Sequence, residues 1–138
     1  MENEQKEFNK KLDELRRNMI FELSNWWGHQ FAGYGGRIVT SNKELYYYEF
    51  YHLTLDYERN KGKIEKIKDL TDEEYARVIN FIETEIKGKE FEDNRIFDAG
   101  YDVIVKYNGI NKKIVNNIGF NDNPGLYDKA DALIKELM

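Results

Sequence analysis

The sequence contains no cysteine and only one proline among its 138 residues. Without cysteine, disulfides, thiolate metal sites and thiol nucleophiles are all excluded. No window approaches the roughly 18 consecutive apolar residues that a membrane helix requires, so we expect no contact with a membrane. The N-terminus alternates charges and no apolar segment follows it, which argues against a secretory signal. We therefore predict a cytoplasmic protein.

The charge is mildly acidic, with 21 basic and 26 acidic side chains and a net charge of -5. General affinity for nucleic acid comes mainly from Lys and Arg that neutralise phosphates, so this balance argues against a nucleic-acid partner. The length is typical of one domain, which we expect to span residues 1–138.

The first segment predicts an amphipathic helix over residues 1–27, which ends near Trp26-Trp27-Gly28. Gly33, Gly35 and Gly36 then predict a loop, so the α+β core is expected over residues 33–138. Apolar residues in the first segment recur at spacings of three and four, which is the stripe of a helix with one buried face: Phe8, Leu12, Leu15, Met19 and Leu23.

After Gly36, apolar and polar residues alternate with a period of two, which is typical of strands. Residues 37–41 predict a short strand and residues 44–58 a long aromatic one, while residues 59–68 fit either an edge strand or a loop. One face of the long strand carries Tyr46, Tyr48, Phe50 and His52. Two interpretations stay open for this face: the N-terminal helix covers it, or it is partly exposed as an aromatic interface.

The second half of the chain has clear local signals. Thr71 and Glu74 form a capping box that begins a helix over residues 71–87. Asn108-Gly109 predicts a type I′ turn between two strands, and the last helix is expected over residues 125–137. Together these elements predict an α+β fold with a mostly antiparallel sheet of about four or five strands.

No arrangement of residues demands catalysis, and we expect no enzyme and no cofactor. A metal site that uses His52 and Asp56 is conceivable, because both point to the same side of a strand, but a structural role for His52 is the simpler interpretation. Glu49, Asp98 and Asp102 are the remaining acid/base candidates, and their spacing does not require a shared pocket.

From Ile67 onward, a helix opening with Leu-Thr-Asp-Glu-Glu is followed by Asp98-Ala99-Gly100-Tyr101, a strand, an Asn-Gly turn, a second strand and a final helix. This order resembles emfourin-type small inhibitors of thermolysin-like metalloproteases over roughly residues 33–138. The resemblance, which includes the glycine-rich strand near Gly35-Gly36, implies a small α+β domain that acts by occupying another protein. The N-terminal helix and the long aromatic strand have no counterpart in that pattern.

We therefore expect a non-catalytic protein-binding module of the inhibitor, immunity or anti-defence kind, with a basic or grooved protein as its target. The alternative is a protein that binds a small ligand or nucleotide derivative in an aromatic pocket. Self-association into a homo-oligomer also stays open. The residues expected to contact the partner are the aromatic and charged side chains around the glycine cluster and on the long strand: Trp26, Trp27, Tyr34, Arg37, Tyr46, Tyr48, Phe50 and His52.

Overall fold

The structure is a computed structural model that describes residues 2–27, 33–51, 61–90, 99–116 and 126–138. The described residues form three α-helices and six strands. In chain order these are α1 (Glu2–Arg16), β1 (Met19–Trp27), β2 (Gly33–Thr40), β3 (Glu44–Tyr51), β4 (Lys61–Asp69), α2 (Asp72–Phe81), β5 (Ala99–Tyr107), β6 (Ile110–Asn116) and α3 (Leu126–Leu137). A single π-helical turn, Ile82–Ile86, continues α2.

The six strands form one sheet in the order β4-β3-β2-β1-β5-β6, and every neighbouring pair is antiparallel. Strands β1 to β4 follow one another across the sheet, and β5 and β6 then extend it on the other side of β1. Helices α2 and α3 bury one face of the sheet, and α1 covers part of the other. The predicted α+β fold with an antiparallel sheet is confirmed, although the sheet has six strands instead of four or five.

The additional strand is β1, which the apolar spacing predicts as the second half of a helix. Helix α1 ends at Arg16 instead of near residue 27, so this part of the prediction is wrong. Met19 and Leu23 continue the helical spacing by coincidence, since Met19 packs beneath α1 and Leu23 packs in the core with α2 and α3. The segment from Met19 to Trp27 contains three aromatic residues and one β-branched residue, Ile20, and these residue types favour a strand.

The glycine-rich segment is also a strand and not the predicted loop, because Gly33, Gly35 and Gly36 lie within β2. Residues 61–69 form an edge strand, which is one of the two alternatives predicted for that region. The end of the predicted strand 44–58, from residue 52 onward, lies outside the described residues.

The capping box and the tight turn that were predicted in the second half of the chain are confirmed. The Thr71 hydroxyl accepts from the Glu74 amide at 3.1 Å, and the Glu74 carboxylate accepts from the Thr71 amide at 3.0 Å, which completes the capping box. Asn108 and Gly109 have φ values of 49° and 82°, as a type I′ turn requires. No helix in the described part of the chain is long and apolar enough to cross a membrane.

Close packing of α1 on the sheet depends on Gly62 of β4. A Cβ atom at Gly62 would lie 2.5 Å from Cδ2 of Phe8 and 2.7 Å from Cδ2 of Phe50. The rings of Phe8 and Phe50 are 5.2 Å apart at their centroids, directly over this position. The missing side chain therefore makes the space in which α1 docks.

We expect Gly62→Ala to lower the free energy of unfolding by about 1–3 kcal/mol, the usual cost of overpacking a filled core. The sign of this change is informative, because replacing glycine with alanine in a strand normally raises the free energy of unfolding by about 0.5–1 kcal/mol. Urea unfolding measures the change, and Glu65→Ala, an exposed position on the same strand, is the matched control. An unchanged or increased stability for Gly62→Ala would show that α1 does not pack this closely.

Candidate functional site

The predicted aromatic face of β3 lies mostly under α1. Tyr48 and Phe50 are fully buried, and Tyr46 is half-buried in the same cluster. The interpretation in which the N-terminal helix covers this face is therefore correct for Tyr48 and Phe50. These two side chains cannot contact a partner unless α1 moves.

Two of the remaining predicted residues, Tyr34 and Arg37, lie on opposite faces of the sheet. Tyr34 lies on the α1 face, where its ring stacks on Phe50 at 5.8 Å. Arg37 lies beside Tyr47 on the other face, with its guanidinium 5.1 Å from the centroid of that ring. The side chains of Trp26 and Trp27, and the whole of His52, lie outside what the structure describes.

A buried polar network lies between α1 and the sheet. The carboxylate of Glu22, on the central strand β1, is 0% exposed. Arg16, the last residue of α1, donates to it from Nε at 2.9 Å and from Nη2 at 2.7 Å. The Tyr48 hydroxyl donates to the same carboxylate and accepts from Nη2 of Arg16 at 3.2 Å. The two charges thus balance each other, and both carboxylate oxygens have donors.

Gly36 makes this network possible. Ser24, Gly36 and Tyr48 are register partners on β1, β2 and β3, so Tyr48 must cross β2 to reach Glu22. A Cβ atom at Gly36 would lie 2.9 Å from the Tyr48 hydroxyl oxygen and 2.5 Å from the Leu23 carbonyl oxygen. Glycine at this position therefore leaves the space through which the Tyr48 side chain reaches Glu22.

The network forms part of the wall of a polar groove with a cavity volume of about 250 Å³. We call this the α1 groove, since α1 forms one side and strands β1, β2 and β5 form the other. The Tyr34 hydroxyl is held at its rim by a 3.0 Å hydrogen bond to Oδ1 of Asn9. The polar and charged lining includes Asn9, Asp13 and Arg16 from α1, with Ser24, Tyr34 and Asp102 from the sheet.

The protonation states of Tyr48 and Arg16 are firmly set. Burial raises the pKa of Tyr48 well above its usual range, and the charge of Glu22 raises it further. Burial acts to lower the pKa of Arg16, but the hydrogen bond and charge of Glu22 outweigh it and leave this pKa above its ordinary value. Neither group titrates near neutral pH, where a general acid or base works best.

A second, larger concavity of about 470 Å³ lies between α2 and α3 on the opposite face of the sheet. Phe81 and Leu133 contribute to its floor, and Lys129 bridges to Glu85 at 3.1 Å. It contains no buried charged network of the kind found in the α1 groove. We therefore take the α1 groove as the candidate functional site.

The described residues give little support to the acid/base candidates or to the candidate metal site. Glu49 accepts from the Tyr47 hydroxyl at 2.5 Å on the face opposite the groove, while Asp56 and Asp98 lie outside the described residues. Within the described ranges, no group of three or more His, Cys, Asp or Glu side chains is placed to hold a metal ion.

No protein-family model, curated protein or solved structure matches this chain. The resemblance to emfourin-type inhibitors therefore stays a prediction, and the geometry of the site is the basis for the functional argument.

The sequence analysis identified Tyr34 and Tyr48 as partner-binding residues and Asp102 as an acid/base candidate, but it missed Arg16 and Glu22. One available signal was the position of Glu22, the only charged residue between Met19 and Trp27, in a mostly apolar segment. A charged residue inside a buried strand needs a partner, and the nearest cations in sequence are Arg16 and Arg17.

A double-mutant cycle tests the network. We expect Arg16→Met to lower the free energy of unfolding by about 3–5 kcal/mol, because it leaves the buried Glu22 carboxylate without a cation. The double variant Arg16→Met/Glu22→Leu should be more stable than Arg16→Met alone, since it leaves no buried charge.

Denaturant unfolding followed by circular dichroism gives these free energies. Arg77→Met, which removes an exposed partner of Glu73, is the control and should change stability by no more than about 0.5 kcal/mol. Additive effects of the two network substitutions would contradict the proposed coupling.

Proposed function

We propose that this chain is a non-catalytic protein-binding module of the cytoplasm, of the inhibitor, immunity or anti-defence kind. It acts by occupying a partner protein. The observation that carries the proposal is the α1 groove, a small polar recess with an aromatic residue at its rim and a charge-balanced network in its wall.

The size and lining of the groove favour a protein partner. Its volume of about 250 Å³ is below the roughly 300–1,000 Å³ of typical small-molecule sites. Sites that enclose metabolites are also mainly apolar, whereas charged and amide side chains line much of this groove. A recess of this size suits one side chain of a partner, and such pockets often hold the anchor residues of protein interfaces.

The surrounding surface indicates how the partner would be held. Among the side chains that the structure describes, Met138 is the only large apolar one that is exposed. The described part of the surface therefore has no large exposed hydrophobic patch. Complementary charge would contribute much of the specificity of binding. The net charge of -5 suits a basic target.

The direct test is capture of a partner by the tagged full-length chain from an extract of its native host, followed by calorimetry with the purified partner. We expect one specific protein with a defined stoichiometry. A tagged protein of similar size and net charge is the control for ionic binding. A thermolysin-like metalloprotease is an additional target to assay, because of the predicted resemblance.

Failure to recover a partner that binds this chain and not the control would contradict the proposal. Inhibition of the metalloprotease would support the emfourin-type interpretation specifically. A partner of another class would support the general proposal and exclude that interpretation.

The second candidate function is binding of a small ligand or nucleotide derivative. It is favoured by the presence of an aromatic ring, Tyr34, and a guanidinium, Arg16, in the same groove. A thermal-shift screen of metabolites separates the two functions. A ligand at 100 times its Kd should add about 2.7 kcal/mol of stability, while a protein that binds only proteins should not respond.

A further inference from the structure

We infer that the edge of β6 binds an extended, acidic segment of the partner protein by adding it to the sheet as a further strand. This inference rests on the proposed protein-binding function and assigns a contact surface separate from the α1 groove. Three observations about β6 support it: its open backbone groups, its regular pairing with β5, and the positive charge of the hairpin that the two strands form.

The backbone of β6 offers a row of open hydrogen-bonding groups. The two-residue turn makes Tyr107 and Ile110 a hydrogen-bonded pair, and bonded and non-bonded pairs alternate from there along the hairpin. The N–H and C=O groups of Asn111, Lys113 and Val115 therefore point away from β5. Because β6 is the last strand of the sheet, no described strand occupies these groups.

The two edges of the sheet differ in how well they would accept another strand. At the β4 edge, the pairing of β3 and β4 shifts between Leu45 and Tyr46, and such bulges discourage edge-to-edge pairing. Helix α1 also packs on β4 at Gly62. By contrast, β6 pairs with β5 without a shift along its 7 residues and contains no proline. An added strand therefore fits β6 better than β4.

Lysine is another common protection of sheet edges, and β6 contains two. Nζ of Lys112 donates to the carbonyl oxygens of Ile86 at 3.2 Å and Lys89 at 2.6 Å, so this side chain is held on the α2 side of the sheet. Lys113 is 56% exposed on the other side, where its Nζ lies 3.7 Å from Oδ2 of Asp102. A strand beside β6 would meet Lys113, which attracts an acidic segment and repels a basic one.

The hairpin of β5 and β6 is positive although the whole chain is acidic. Its strands contain three lysines and one aspartate, so the pairing of Lys113 with Asp102 still leaves a net charge of +2. Lys106 is exposed on the same face as Lys113 and forms no ion pair with any residue that the structure describes. Exposed charges more than about 8–10 Å apart are largely screened. The local charge therefore acts on a strand docked at β6 more strongly than the total charge does.

A second copy of this chain fits the edge less well than an acidic partner. In the antiparallel register that pairs all three open residues of β6, Lys113 of one copy would lie opposite Lys113 of the other. Like charges directly opposite each other destabilise a strand pair. An acidic segment would place a carboxylate at this position instead.

The test titrates three blocked heptapeptides into the isotope-labelled full-length chain and follows the amide signals by NMR. The first peptide alternates glutamate and valine. The second has the same residues with N-methylated glutamates, which keeps the charge but removes the N–H donors that would face β6. The third has lysine in place of glutamate. We expect the first peptide to shift the signals of Asn111, Lys113 and Val115, and the other two to bind at least about tenfold more weakly.

Three results of this titration would overturn the inference. Equal binding of the N-methylated peptide would show that the contact is ionic and not strand pairing. Equal binding of the lysine peptide would show that the edge does not select an acidic segment. Signals of β6 that change with the concentration of the chain alone would indicate that a second copy occupies the edge.

A charge reversal locates the contact. Lys113→Glu should bind the lysine peptide at least about threefold more tightly than the glutamate peptide, because only that combination then places opposite charges across the pair. Lys63→Glu is the matched control, since Lys63 is 53% exposed on the other edge strand, β4, and it should keep the wild-type preference. A Lys113→Glu variant that still prefers the glutamate peptide would overturn the inference.

If Lys113→Glu does not fold, Lys113→Gln decides: a smaller preference for the glutamate peptide supports the inference, and an unchanged preference overturns it. A captured partner that binds the wild type and the folded Lys113 variant equally would overturn this inference while the proposed function stands. Absence of any partner would overturn the proposed function, and the peptide titration would still decide whether β6 pairs with an acidic strand.

Discussion

The placement of one buried carboxylate constrains the rest of this structure. Glu22 lies on the central strand of the sheet, and an ionised carboxyl group in such a position is too costly unless a cation and further donors accompany it. Arg16 is the cation, and it can reach Glu22 only because α1 ends at Arg16 and the chain reverses into β1 at once. Tyr48 adds a donor from two strands away, which in turn requires glycine at position 36.

The same network links the fold to the groove. By attaching the C-terminal end of α1 to the sheet, it sets the position of the helix that carries Asn9 and Asp13. Phe8 and Gly62 fix the other part of α1 by close packing. The α1 groove is therefore a consequence of how the helix docks, and its shape should change if α1 moves.

Much of the fold was predictable because its signals are local. The capping box at Thr71 and the turn at Asn108-Gly109 depend on residues within a few positions of each other, and both appear in the structure as expected. The boundary between α1 and β1 was not predictable from spacing, because Met19 and Leu23 extend a helical stripe although they lie on a strand. The correct choice depends on pairing with β2 and β5, which are distant in sequence.

The candidate site was less predictable, because it also depends on contacts between residues that are distant in sequence. The aromatic face of β3 was visible in the sequence, but its burial depends on α1, and the choice between covered and exposed stayed open. Asp102 and Ser24 meet only because β5 inserts next to β1 after α2. A single sequence gives no local signal for that juxtaposition, whereas the lone charge of Glu22 in an apolar segment did indicate that a partner was required.

The central claim is that Glu22 holds α1 on the sheet. Native-state hydrogen exchange, compared between the wild type and Glu22→Gln, tests it most directly, because exchange reports the local opening of each helix and strand separately. The account predicts a selective loss of protection for the α1 amides from Phe8 to Arg16, while the amides of β5 keep most of theirs. Unchanged protection of α1 in a folded Glu22→Gln variant would contradict it.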